Sequence, residues 1–90
     1  MKRLQKLDAI KSDVIEQRVA SRLKTLRTEG GFSQQRVADA LQVRQNTYSQ
    51  YENGRRQLPL EALARLAVFY DVSADYILGL TEVEFPYPKN

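Results

Sequence analysis

Apolar residues recur every third or fourth position along most of the chain, the spacing that gathers side chains on one face of an α-helix. Ile15, Val19, Leu23 and Leu26 form the first clear stripe, and Gly30 and Gly31 end it. Ser33 suits the N-cap of a second helix, because its hydroxyl can accept from a backbone N–H one turn on, and Val37, Ala38 and Leu41 make a short stripe behind it. After a break at residues 42–44, Tyr48 and Tyr51 stand three apart on the inner face of a third helix. Asn53 and Gly54 stop that helix, both tolerating left-handed backbone. Pro59 favours a new start, and Leu60, Leu63, Ala64, Ala67 and Val68 predict a broad apolar face on a fourth helix. Asp71 and Val72 interrupt it; Ser73 is a second serine N-cap, and Tyr76, Ile77, Leu78 and Leu80 predict a short fifth helix ending at Gly79. Nothing reads as a strand pair.

The chain ends differ from this middle. Residues 1–14 carry Leu4, Leu7, Ile10 and Val14 at helical spacing with Lys2, Arg3, Lys6 and Lys11 between them, which predicts a basic helical extension. Residues 81–90, with Pro86 and Pro88, read as an extended tail. The expected organisation is therefore an extension at 1–14, one helical domain at 15–80 and a tail at 81–90. Ninety residues support a single hydrophobic core.

Composition narrows the chemistry. The chain is 42% hydrophobic and 28% charged, within the range of sequences that fold unaided. It has no cysteine and no histidine, so disulfides, thiolate metal sites and the usual general base are missing. No Gly-rich phosphate loop and no paired carboxylates stand out, and the residues read as a binder, not an enzyme, with no cofactor. No apolar run is long enough to cross a bilayer and no secretory block opens the chain, so a cytoplasmic location without membrane contact is expected. The net charge is +3, unevenly spread. Residues 1–29 hold eight Lys or Arg against four Asp or Glu (+4), residues 30–57 four against two (+2), and residues 58–90 two against five (−3). A polyanion would meet the front of the chain.

Within residues 33–54 two short helices, a very short connection and a polar outer face on the second helix coincide. If Tyr48 and Tyr51 face the core, helical spacing turns Gln45, Asn46 and Gln50 outward, with Thr47 and Ser49 on the flanks. The major groove is about as wide as one helix and shows a distinct donor and acceptor pattern for each base pair, and a carboxamide that both donates and accepts can grip adenine N6 and N7 together. Phe32, Tyr48, Tyr51, Phe69 and Tyr76 sit on apolar faces or at helix boundaries and read as core, not as stacking platforms for unpaired bases.

The run Ser33-Gln34-Gln35-Arg36-Val37-Ala38-Asp39-Ala40-Leu41, followed by Val43 to Gly54 with Tyr48, Tyr51 and Glu52-Asn53-Gly54, resembles the helix-turn-helix of phage repressors and Cro, the Xre type. Arg22-Leu23, Leu26-Arg27, Val72-Ser73 and Asp75-Tyr76 extend the likeness over residues 19–80. The resemblance implies an all-α, five-helix, lambda-repressor-like domain and a sequence-specific regulator of transcription. It gives Gln45, Asn46 and Gln50 base contacts, and Gln34, at a helix N-terminus that favours phosphate, a backbone contact. Arg44, Thr47, Asn53, Arg55 and Arg56 are expected at phosphates, and Arg27 with Glu52 as a structural pair. Two positions depart from the family: Gln42, where glycine is usual because the backbone is left-handed, and Arg36, where glutamate is common, which offers one more phosphate contact.

The implied partner is double-stranded DNA, bound as an inverted repeat by a homodimer that represses. The dimer surface is expected on the fifth helix and the loop before it, or on the stripe Leu4, Leu7, Ile10 and Val14. The basic N-terminus serves as an arm on DNA or only as a solubilising end. A rival reading is an antitoxin-type protein of the same fold that neutralises a partner protein. Another is an interaction module that has lost DNA binding.

Overall fold

Each stripe from Ile15 onward becomes a helix, and capping decides where each helix stops. The computed structural model describes residues 11–85. These form α1 (Ser12–Gly30), α2 (Gln34–Leu41), α3 (Gln45–Glu52), α4 (Leu60–Tyr70) and α5 (Ala74–Leu78), with no strand among the described residues. The all-α, five-helix class matches the expectation. Leu4, Leu7 and Ile10, the basic residues Lys2, Arg3 and Lys6, and Pro86 and Pro88 lie outside the described residues. Val14, grouped with the extension on sequence grounds, belongs to α1, which starts at Ser12 after an extended Lys11.

Ser33 and Ser73 cap α2 and α5: their hydroxyls accept from the N–H groups of Arg36 and Tyr76, both at 3.0 Å. At the other ends, left-handed residues terminate the helices. Gly31, Gly54 and Gly79 have positive φ, and so do Gln42 (59°) and Asp71 (54°), which carry a Cβ. Asn53, expected to share the left-handed stop of α3, has φ of −93°, so Gly54 alone makes the turn there.

The core is one cluster. Leu23, Val37, Tyr48, Leu66 and Ile77 are its largest fully buried side chains, one from each helix, with Val19, Ala38, Leu41 and Tyr51 around them. Phe32, Phe69 and Tyr70 form an aromatic cluster, Phe32 tilted against Phe69 with ring centroids 5.1 Å apart and Phe69 edge-on to Tyr70 at 4.9 Å. The broad face expected on α4 is corrected. Ala62 and Leu66 are buried, Leu63 and Ala67 pack partly against the core, and Leu60 (83% exposed), Ala64 and Val68 (81%) face outward. Only Glu61 and Arg65 break the apolar character of α4, so periodicity does not single out an inner face; packing against α2 and α5 does. Leu80, expected within the last stripe, is also largely exposed. Beyond α5 the chain turns back: the carbonyl of Glu84 accepts from the N–H of Ser73 at 2.8 Å, and Glu82 lies 3.6 Å from Arg22, whose guanidinium sits over the Tyr76 ring.

One ion pair ties the first helix to the end of the third. Arg27 Nε and Nη2 donate to the two carboxylate oxygens of Glu52, both at 2.8 Å, and Arg27 Nη1 donates to the Phe32 carbonyl at 3.1 Å. Glu52 is 7% exposed. Burial pushes its carboxyl up, but the hydrogen bonds from Arg27 and the interaction with Tyr48 outweigh that and hold it below the ordinary carboxylate value. The Tyr48 hydroxyl lies buried against the same carboxylate without a well-formed hydrogen bond, and burial first, then the carboxylate, raise it far above an ordinary phenol. Burial, with the Glu52 charge behind it, pushes Tyr70 up to about 12.

Two outcomes follow for stability. Replacing Gln42 by glycine relieves left-handed strain and stabilises the domain by about 0.5 kcal/mol net of the added unfolded-state freedom, so thermal unfolding followed by circular dichroism shifts up by roughly 2–4 °C. Glu52→Gln breaks the pair and costs about 2–4 kcal/mol at pH 7, read as the urea midpoint. Because the folded value of Glu52 is depressed, the pair's contribution is complete above the ordinary value of 4.5 and is lost as pH falls through the depressed value. Wild type and Glu52→Gln should therefore converge in stability only once the pH has fallen below that depressed folded value.

Candidate nucleic-acid interface

The two helices of the expected unit are α2 and α3, joined by residues 42–44. Gln42 turns left-handed, its N–H reaches the Asp39 carbonyl at 3.1 Å, and the N–H of Val43 reaches that of Ala38 at 3.0 Å. This closes α2 within one residue of its end and lets α3 start at Gln45. Ala38, on the inner side of α2, is fully buried in the core.

Tyr48 and Tyr51 point into the core, so the opposite side of α3 faces solvent. Gln45 and Asn46 are exposed in the first turn, and Thr47, Ser49 and Gln50 are half-buried beside them. Gln34 is half-buried at the start of α2, close enough to Glu52 for its side chain to help hold the carboxylate ionised. Arg44, Asn53, Arg55 and Arg56 are exposed at the two ends of α3. Arg27 and Glu52 sit behind this face, engaged with each other.

The electrostatics favour an anion. Of the acidic residues between 30 and 57, Glu52 is buried and paired with Arg27, and Asp39 accepts from Gln35 Nε2 at 2.7 Å. Among the described residues, Arg44, Arg55 and Arg56 have no such acidic partner. Arg36 is turned elsewhere: its guanidinium lies 5.0 Å over the Phe69 ring, beside α4, which directs it away from the phosphate contact offered on sequence grounds.

Two side-chain contacts on this face were not visible in the sequence. Arg56 Nη1 donates to Gln50 Oε1 at 3.3 Å, and Asn53 Nδ2 donates to Ser49 Oγ at 3.3 Å. The signal for the first was Gly54 alone. With φ of 70° it returns the chain beside the last turn of α3, and the N–H of Arg55 bonds the Gln50 carbonyl at 2.9 Å. Among the described residues no group of His, Cys, Asp or Glu could hold a metal ion, and no helix is long and apolar enough to cross a membrane.

A family model described as helix-turn-helix, HTH_3, matches residues 23–77. The chain is 41% identical over 64 residues to the SPbeta prophage-derived uncharacterized HTH-type transcriptional regulator YonR of Bacillus subtilis (strain 168), covering 71% of this chain and 59% of YonR. It is 40% identical over 53 residues to the cryptic phage CTXphi transcriptional repressor RstR of Vibrio cholerae, covering 59% of this chain and 48% of RstR. The chain thus spans about half to three-fifths of the length of these relatives. The crystal structure of the clp gene regulator ClgR from Corynebacterium glutamicum superposes with a TM-score of 0.67 at 23% identity, covering 71% of this chain and 68% of that one, a likeness of fold. With the family match running from α1 into α5 and the helix-turn-helix geometry in place, the chain belongs to the HTH_3 family of Xre-type helix-turn-helix domains.

Proposed function

We propose that the chain is a sequence-specific double-stranded DNA-binding regulator of transcription, working as a repressor. The observation that carries this reading is the division of α3: Tyr48 and Tyr51 are buried, and Gln45, Asn46 and Gln50 occupy the outer side between exposed arginines. A helix anchored in this way can lie in a major groove, with carboxamides at base edges. Gln34, Arg44, Thr47, Asn53 and Arg55 then serve the phosphates, which set register without reading sequence. The relative RstR, named a repressor, supports the direction of control.

A single module of this size offers few base contacts, so the working species is a homodimer on an inverted repeat whose half-sites lie about 34 Å apart. Its interface is the turn before α5 with the end of α4. There Val68 is 81% exposed beside an open depression lined by Ala67, Val72 and Ala74 together with the polar Asp71, Ser73 and Asp75.

Selection of bound duplexes from a random pool tests the reading. Wild type should enrich an inverted repeat; Gln45→Ala/Asn46→Ala/Gln50→Ala should lose the enrichment while keeping salt-sensitive binding to any duplex. No enriched sequence at low or moderate salt would overturn it. For the interface, Val68→Glu should change the unfolding free energy by under about 0.5 kcal/mol, since the site is exposed, yet weaken binding to the full repeat at least about tenfold while leaving half-site binding unchanged. Equal binding of wild type and Val68→Glu to the full repeat would place the interface elsewhere.

A further inference from the structure

The three outward carboxamides of α3 are not chemically equivalent. None of the described residues hydrogen-bonds the side chain of Gln45 or Asn46, so each keeps both a donor and an acceptor for a partner. Gln50 differs, because its Oε1 accepts from Arg56 Nη1 at 3.3 Å, toward the long end of hydrogen-bond distances. Arginine carries donors alone, so the atom of Gln50 that faces it is the carbonyl oxygen, and the amide NH2 is turned the other way. The backbone brings the two together. Gly54 (φ 70°) and the bond from Arg55 N–H to the Gln50 carbonyl fold residues 54–56 back over the last turn of α3. Next to them, Ser49 Oγ accepts from Asn53, which leaves the serine proton free to be donated. The C-terminal half of α3 therefore presents donors, and its N-terminal half presents donors and acceptors together.

We propose that Arg56 is a positioning and specificity residue: it holds Gln50 as a donor, and the Gln50–Arg56 pair reads guanine, while Gln45 and Asn46 read adenine. This rests on α3 being the groove-reading helix and names what one part of it reads. Guanine shows two acceptors in the major groove, N7 and O6, which match the Gln50 amide and the remaining guanidinium N–H groups. Adenine shows N7 beside the N6 amino donor, and a donor pair meets that amino group unfavourably. When DNA excludes water from this face, the charge-assisted Arg56–Gln50 bond strengthens and the orientation is held more firmly. This assigns Arg56 a role in sequence readout, where a phosphate contact would act on all sequences alike.

The test is base preference, position by position, in the duplexes selected by the full chain and by Arg56→Ala, Gln50→Ala and Arg55→Ala. Arg56 is exposed in a loop, so Arg56→Ala should keep the wild-type unfolding temperature, checked by circular dichroism. Wild type should select guanine at one position of each half-site. Arg56→Ala should shift that position toward adenine by on the order of tenfold, because the released carboxamide can then grip N6 and N7, and leave the other positions unchanged. Gln50→Ala should lose the guanine without gaining adenine. Arg55→Ala, the phosphate-type control, should weaken binding to every sequence evenly. An Arg56→Ala variant that binds all sequences more weakly but keeps guanine would overturn the proposal and leave groove reading intact. The proposal falls equally if bases respond to Gln45 and Asn46 but no guanine depends on Gln50. A wild type that enriches nothing would remove both.

Discussion

Eight residues are too few for a helix to persist in water, because nucleation is unfavourable and few hydrogen bonds offset it. The outer face of α3 therefore exists only through the burial of its inner face. Tyr48 is wholly buried and Tyr51 nearly so, and they set the rotation of α3 about its own axis. That rotation decides which side chains meet solvent. Polar residues at 45, 46 and 50 are outward because two tyrosines three residues apart are inward, and removing either anchor would disturb the whole outer face together.

The Arg27–Glu52 pair completes this anchoring with charge. It joins residues 25 positions apart in sequence, across the junction of α1 with the end of α3, by two hydrogen bonds to one carboxylate. A lone carboxylate buried there would be costly; with Arg27 in place it stays ionised and rigidly held. The same pairing removes a negative charge from the back of α3, so the arginines at its two ends act on their surroundings with little internal opposition. Structural and electrostatic requirements coincide in one interaction.

Much of this was legible along the chain because the relevant physics is local. Serine at 33 and 73 caps helices through a hydrogen bond to a neighbour three residues on, and a left-handed stop depends on a single residue's φ. Gln42 carries such a stop with a Cβ present, which the likeness to phage repressors anticipated from the glycine usual there. α4 shows where local reading fails. Its composition is apolar on nearly every side, so Leu60, Ala64 and Val68 read as core face from spacing although Ala62 and Leu66 are the residues buried. Only its neighbours α2 and α5 distinguish the two.

The sequence by itself determined the helices, their serine caps and the polar composition of α3, since each follows from periodicities and side-chain chemistry acting over a few residues. Tertiary structure decided which side of α4 is covered, where Arg36 rests against Phe69, and how Arg56 meets Gln50. The reason lies in range. Backbone spacing specifies which residues share a face, but whether a face is buried, and which distant side chain a long flexible arginine reaches, depends on how the helices pack and how the turns return the chain, and neither is written in the period of a single helix.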